Sequence, residues 1–363
     1  MIKKISLILF LTVISVQSQI PNGYYDSATG YDYELKTQLF EIINNHNDQG
    51  YNALDDFYIT NDIDVYYEND NTILDIYSEN PSGTDPYNFS TENSCGNYSS
   101  EGDCYNKEHI IPQSVFGSNY PMRSDAHQVL PTDGRVNGFR SAYPYGVVGQ
   151  NLVSQSGISN PTQNGSKLGN NLNEGYAIGY TNIVFEPIDE FKGDIARIYF
   201  YFITRYENLI SSWSSYDMFN GSSDQVLQDT FLNILINWHL NDPVSQKEID
   251  RNNQIYLFQG NRNPFIDHPE YVQDIWGTVL SDTNYSLDKK TSIYPNPASE
   301  NYIYVKSNEQ VTVKIFSLLG KKLIQNIIEP SNNKMDISII KSGVYIIKIS
   351  NNSSSITRKF IKR

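Results

Sequence analysis

The sequence predicts an α+β protein followed by a small all-β unit, and three features carry that expectation. Residues 194–206 place Ile195, Ile198, Tyr199, Phe202, Ile203 and Tyr206 at helical spacing, which makes one continuous apolar stripe. Residues 106–146, NKEHIIPQSVFGSNYPMRSDAHQVLPTDGRVNGFRSAYPYG, read as a hairpin followed by a short helix. From Ile293 the pattern switches to alternation: YIYVKS, VTVKIFS, KKLIQNII, VYIIKISN and ITRKFIKR are short strands divided by Gly320, Gly343 and Asn-Ser turns. An antiparallel sandwich of roughly seventy residues accommodates them.

Length and charge support the same division. The chain has 363 residues, whereas single cores rarely grow past roughly 250 to 300 residues. From Ser292 onward 11 Lys and Arg stand against 4 Asp and Glu, while residues 1–291 carry 16 against 37. The expected organisation is a signal peptide over 1–18, a main domain over 19–280, a polar linker over 281–291 and a basic terminal domain over 292–363. An acidic body binds nucleic acid poorly by charge alone, because Lys and Arg contacts to phosphate dominate that affinity. Any chemistry on nucleic acid must then rest on a local site with a bound cation. More distant acidic patches are screened over a Debye length of about 10 Å at 0.1 M salt.

The first element, MIKKISLILFLTVISVQS, has Lys3 and Lys4, an apolar run, and Val16 and Ser18 at the −3 and −1 positions of a cleavage site. This is the pattern of an export signal, too short to span a bilayer, so the mature chain leaves the cytoplasm without a membrane span. Leu35, Leu39, Ile42 and Ile43 predict a helix over 33–46 with Asp32 as cap and His46 exposed at its end. Residues 61–77 are rich in Asp, Ile and Tyr, and TILDIY within them reads as a strand. Their acids could hold Ca²⁺, although no spacing resembles an EF-hand loop. A loop over 80–103 follows, with Cys95 and Cys104 near its end. In an oxidising compartment a disulfide closing this small loop is favoured over two free thiols. Beyond Gly146 the chain reads as irregular up to about Thr181.

In the helical segment that follows, Asp194, Arg197, Tyr201 and Arg205 line a second edge. Arg197 there could clamp a phosphate bidentately, or pair with Asp194 or Glu207. Two further helices are expected over 226–240 and 243–258, the second with Asp242-Pro243 as cap and first turn. A turn and a short helix close the domain from Gln259 onward. His239 and His268 read as structural.

The central segment holds the chemistry. Cutting a phosphodiester needs a nucleophile made from water, neutralisation of the phosphate and help for the departing O3′, and one divalent ion with one general base can supply all three. His109 follows a carboxylate and precedes a second polar cluster, and an imidazole is suited to take a proton from water near neutral pH. Glu108 and Asn137 offer hard oxygens that suit Mg²⁺, which keeps several waters and uses few protein ligands. The competing reading is a buried His and Asn that merely satisfy loop backbone.

NKEHIIPQS (106–114), SDAHQVLP (124–131), VNGFRS (136–141), GDIARIYFY (193–201) and QGNRNPFI (259–266) together resemble the endonuclease I family of secreted and periplasmic nucleases, a branch of the His-Me finger or ββα-metal nucleases. The resemblance implies a ββα-metal core elaborated with helices, His109 as general base, and Glu108 and Asn137 holding a single Mg²⁺, with Mn²⁺ or Ca²⁺ as substitutes to test. It implies 5′-phosphate products from DNA, RNA or both, released by a monomeric enzyme. Where the family has D-L-H-H-L, this chain has Asp125-Ala126-His127-Gln128-Val129, so Asp125 and His127 are expected to be structural. The phosphate-contacting arginine falls to Arg140 and Arg197, with Arg123 third.

YPNPAS (294–299), SLLGKKL (317–323), GVYIIKI (343–349) and the basic end RKFIKR resemble the C-terminal sorting domain of the type IX secretion system. That implies handling by the type IX machinery and a secreted protein, in some cases held at the cell surface. A carbohydrate- or surface-binding sandwich is the alternative for this tail. For the whole chain, the alternative to an enzyme is a surface-displayed adhesion or nucleic-acid-binding protein that has lost catalysis.

Overall fold

The computed structural model describes residues 20–277, 291–307, 310–317, 321–351 and 355–363. The expected signal segment, and the expected linker apart from Thr291, lie outside them. The chain divides into two compact units after Val272.

In the first unit the order is α1 (Asp32–Ile43), α2 (Ala53–Asn61), β1 (Tyr105–His109), β2 (Val129–Asp133), α3 (Gly134–Arg140), β3 (Val148–Leu152), β4 (Lys167–Asn171), β5 (Ile183–Glu186), α4 (Lys192–Arg205), α5 (Glu207–Ile210), α6 (Asp229–Asn241), α7 (Gln246–Gln259) and α8 (Pro264–Asp267). β1 and β2 form an antiparallel pair, and β3, β4 and β5 form a separate three-stranded sheet. α4 is the centre of the unit. Every residue of it after Lys192 is buried, and it packs against α1, α6 and α8. The apolar stripe is in the core as expected. The second edge is also interior, which explains why Asp194, Arg197 and Arg205 must all find partners.

Several local expectations are corrected. α1 ends at Ile43, and Asp32 is its first residue rather than its cap. His46 is beyond the helix and only partly exposed, its Nδ1 accepting from Arg205 Nε at 3.1 Å. TILDIY is not a strand apart from an isolated bridge between Ile63 and Ile73. The Asp75 carboxylate instead accepts backbone N–H bonds from Tyr77 at 2.8 Å and Asp133 at 2.7 Å, a side-chain substitute for a ladder. The supposedly irregular stretch after Gly146 contains β3 and β4, whose Gly- and Asn-rich sequences carry little strand propensity. α7 begins three residues later than its Asp-Pro pair suggests, because Ser245 and Glu248 form a capping box. The disulfide between Cys95 and Cys104 is present.

From Ser292 onward the second unit is built of strands. Its strands are β6 (Ser292–Tyr294), β7 (Tyr302–Lys306), β8 (Val311–Ser317), β9 (Lys322–Ile328), β10 (Lys334–Asp336), β11 (Gly343–Ser350) and β12 (Ser355–Lys362). They form sheets of order β10-β7-β6 and β12-β11-β8-β9, antiparallel throughout. Ile303, Val305 and Met335 from one sheet share a core with Val313, Ile315, Ile347, Ile349 and Phe360 from the other. This is the sandwich expected from the alternation, which is clearest in β7 and β8, where every second side chain is buried along most of the strand. Among the described residues, no helix is long and apolar enough to cross a membrane.

Candidate active site

β1 and β2 run antiparallel with Glu108 opposite Leu130 and His109 opposite Val129. β2 passes directly into α3, whose first turn is capped by Asp133 accepting from Val136 N at 2.7 Å. This strand, strand and helix hold the three candidate residues: Glu108 and His109 end β1, and Asn137 is on α3. The helix lies close to the Tyr98 loop. A Cβ at Gly138 would meet the Tyr98 hydroxyl at 2.6 Å, so a larger residue there would have to displace the Tyr98 side chain.

Glu108 is buried and tightly held. Its Oε1 accepts from the Tyr77 hydroxyl at 2.8 Å, from Arg140 Nη1 at 3.2 Å and from the Tyr145 hydroxyl at 3.2 Å. Burial pushes its carboxyl above the ordinary range, while Arg140 and the two hydroxyls pull the other way. All three bonds fall on Oε1, so Oε2 is the oxygen left to act as a ligand. Tyr77 and Tyr145 were not singled out from the sequence. They come from loops 31 residues before and 37 residues after Glu108, and no local pattern marks either of them.

His109 is fixed from the other side of the strand. Its Nε2 lies 3.0 Å from the Arg123 carbonyl oxygen. A carbonyl can only accept, so Nε2 carries the proton and Nδ1 keeps the lone pair. Tyr51 stacks on the ring with centroids 6.0 Å apart and planes 17° apart. Burial, partly opposed by the bond to the Arg123 carbonyl, lowers the imidazole pKa to about 4. The side chain is therefore neutral at pH 7, as a proton acceptor must be.

Asn137 is oriented by its amide nitrogen, which donates to Asn106 Oδ1 at 2.8 Å and to the Lys107 carbonyl at 3.3 Å. The Lys107 carbonyl can only accept, so the amide cannot be turned over without losing that bond, and Oδ1 is the atom left for a ligand. A carboxylate oxygen and an amide oxygen are hard donors, and the pair fits Mg²⁺ with the remaining positions taken by water and phosphate.

The arginines divide differently from expectation. Arg140 is at the site but only 1% exposed. Besides Glu108, it donates to the carbonyls of His109 at 2.9 Å and Ile110 at 2.7 Å. Those contacts make it a positioning residue that fastens the end of β1, not a group that meets substrate. Arg197 is not brought to the site. Fully buried, it donates to Glu248 at 2.5 and 2.8 Å, to the Asp242 carbonyl at 2.8 Å and to Asp194 at 3.4 Å. The ion-pair alternative therefore describes it, with Glu248 as chief partner, while Glu207 pairs with Lys36. Arg123 makes no ion pair among the described residues. Partly exposed, its guanidinium is 4.6 Å from the Tyr51 ring centre and 5.9 Å from that of Tyr120, beside the ring that stacks on His109. Asp125 and His127 are interior: Asp125 accepts from the hydroxyls of Tyr201 and Tyr206 at 2.9 and 2.8 Å. His127 packs against Tyr201 with the ring planes tilted by 48°, and burial lowers its pKa to about 3.

Comparison with known proteins covers most of the chain. Residues 31–270 match the sequence model of the family described as Endonuclease I, and residues 292–363 match that described as a secretion system C-terminal sorting domain. The extracellular ribonuclease of Bacillus amyloliquefaciens is 30% identical over 261 residues, covering 70% of this chain and 78% of its own length. The extracellular ribonuclease of Bacillus subtilis (strain 168) is 30% identical over 267 residues with the same two coverages. The Endonuclease-1 of Buchnera aphidicola subsp. Acyrthosiphon pisum is 29% identical over 177 residues, which is 44% of this chain and 58% of that protein.

Proposed function

The chain belongs to the endonuclease I family and is a secreted protein with a C-terminal sorting domain, and from that premise we propose that it is a Mg²⁺-dependent, sequence-nonspecific endonuclease acting on both DNA and RNA. The observation that carries the reading is the bond from His109 Nε2 to the Arg123 carbonyl. It leaves Nδ1 as the proton acceptor at the strand end where Glu108 and Asn137 present their oxygens.

His109 takes a proton from a water molecule in line with the phosphorus, the bond to O3′ breaks and O3′ takes a proton from a second water, leaving a 5′-phosphate and a 3′-hydroxyl. Water is the nucleophile, so no 2′-hydroxyl is consumed and ribose is not required. Bound Mg²⁺, held by Glu108 and Asn137, would supply charge neutralisation on the phosphate and acidify the water and the leaving oxygen. Arg140 and the hydroxyls of Tyr77 and Tyr145 keep Glu108 in place. Arg123, stacked on Tyr51, is the guanidinium available for a phosphate oxygen.

Plasmid nicking tests the reading directly. EDTA should abolish cleavage and added Mg²⁺ should restore it, and raising the salt modestly should weaken it because salt ions compete with cationic contacts to the phosphates. Full nicking in EDTA would rule out the mechanism. The arginine assignment has its own test. Arg123→Ala removes a charged hydrogen-bond donor worth about 1.5–3 kcal/mol. It should lower kcat/KM by roughly 10- to 100-fold while leaving the unfolding midpoint in urea almost unchanged. A normal kcat/KM would remove Arg123 from the site.

A further inference from the structure

A group of carboxylates lies on two loops outside the β1–α3 site. Ligand oxygens of Asp64, Glu68 and Glu79 all lie within 4.8 Å of one another. Such a cluster by itself says little, since acidic groups gather on many surfaces. Here Asp64, 2% exposed, and Glu79 are not on the surface. Glu79 is 1% exposed, its Oε1 is buried with no hydrogen-bond partner, and the same holds for Oε2 of Glu68. Among the described residues, no ion pair reaches Asp64, Glu68, Glu79 or Asp85.

A buried carboxylate without a donor or a cation is costly, and burying one against two others is costlier still. We propose that Asp64, Glu68 and Glu79 form a structural Ca²⁺ site that bridges the 64–72 and 77–85 loops. Three carboxylates with backbone carbonyls and water can supply the six to eight hard oxygens that Ca²⁺ takes in flexible geometry. Mg²⁺ suits the site less, because it holds its waters in a strict octahedron and seldom uses an all-carboxylate cage.

The local backbone is already arranged around the group. Asp64 Oδ1 accepts from the amides of Tyr66 and Tyr67, both at 3.0 Å, and Oδ2 from that of Asn69 at 2.9 Å. Oδ2, which accepts only one bond, keeps lone-pair capacity for an ion. Asp85 accepts from the Asn80 amide at 2.6 Å and adds further negative charge nearby. In the absence of a cation, burial and then the neighbouring carboxylates push the Glu79 carboxyl up to about 9.

The site would brace the segment behind the active centre. The Glu79 amide donates to the Asp75 carbonyl at 2.9 Å, Asp75 binds the amides of Tyr77 and Asp133, and the Tyr77 hydroxyl holds Glu108. The proposal does not depend on the catalytic assignment, and its readout is stability, not cleavage.

The experiment is thermal unfolding of the full chain, stripped with EDTA and then titrated with CaCl₂ in the presence of saturating Mg²⁺. Wild type should gain several degrees in Tm, with a midpoint in the range of about 10⁻⁴ to 10⁻³ M that extracellular Ca²⁺ modules show. Glu79→Gln, which keeps the shape and removes a charge, should shift that midpoint upward at least tenfold. Without Ca²⁺ it should be no less stable than wild type, because burial among carboxylates already favours the neutral form of Glu79. Glu68→Gln, at a less buried position, should also shift the midpoint and provides the reading if Glu79→Gln does not fold. No gain in wild type up to about 10 mM Ca²⁺, tenfold above that range, would overturn the proposal. An unchanged midpoint in whichever variant folds would do the same and would place any Ca²⁺ effect at Glu108 and Asn137.

Discussion

Replacing His109 with Ala should lower plasmid nicking by about 10²- to 10⁴-fold, the range a general base contributes, without loss of the folded state. The side chain is held by one hydrogen bond and two ring contacts. Its loss removes packing against Tyr51 and Phe116 but leaves no buried charge behind. Near-normal nicking by the variant would exclude His109 as the base.

The wild-type pH profile provides a second test of that role. An imidazole whose pKa is lowered to about 4 is in its neutral, proton-accepting form throughout pH 5 to 8. It loses that form only as the pH falls through about 4. The acid limb of kcat/KM at saturating Mg²⁺ should therefore lie well below the ordinary imidazole value of about 6.5. A half-loss of rate at that value would show that His109 is solvated in the working enzyme.

Arg140→Ala should have the largest effect on stability. The Arg140 to Glu108 pair is 1% and 2% exposed on its two side chains. Removing one partner of such a pair leaves an uncompensated buried charge at a cost of about 3–5 kcal/mol. Two backbone carbonyls, of His109 and Ile110, lose their donors as well. Urea unfolding should show the loss, and cleavage should fall because Glu108 is no longer held. If activity were lost while the urea midpoint stayed at its wild-type value, Arg140 would be a substrate contact and its positioning role would be wrong. Together with Arg123→Ala, the variant separates a guanidinium that holds the site from one that meets the phosphate.

The parts of the fold that could be read in advance share one property: their signal is local. Alternation of apolar and polar residues marked β7, β8, β9, β11 and β12, since a strand in a sandwich exposes every second side chain. GRVNGFR was legible as a helix, and α3 has the same limits. What failed depended on partners far along the chain. TILDIY has the composition of a strand, but Asp75 in its middle is needed to tie Tyr77 to Asp133. β3 and β4 are built from residues with poor strand propensity and are held by pairing with each other and with β5.

The candidate site divides along the same line. The sequence by itself determined the residue types and their order: a carboxylate and an imidazole at the end of one strand, an amide on the helix that follows, and a basic all-β tail for export. Adjacent positions on regular elements are enough to bring such groups near each other. Only the tertiary structure decided which nitrogen of His109 holds the proton and which oxygen of Glu108 is taken. It also separated the three arginines and left Glu79 buried without a donor. Each of those outcomes depends on how many hydrogen bonds and how much solvent a side chain meets from segments tens of residues away, and neither spacing nor composition records that sum.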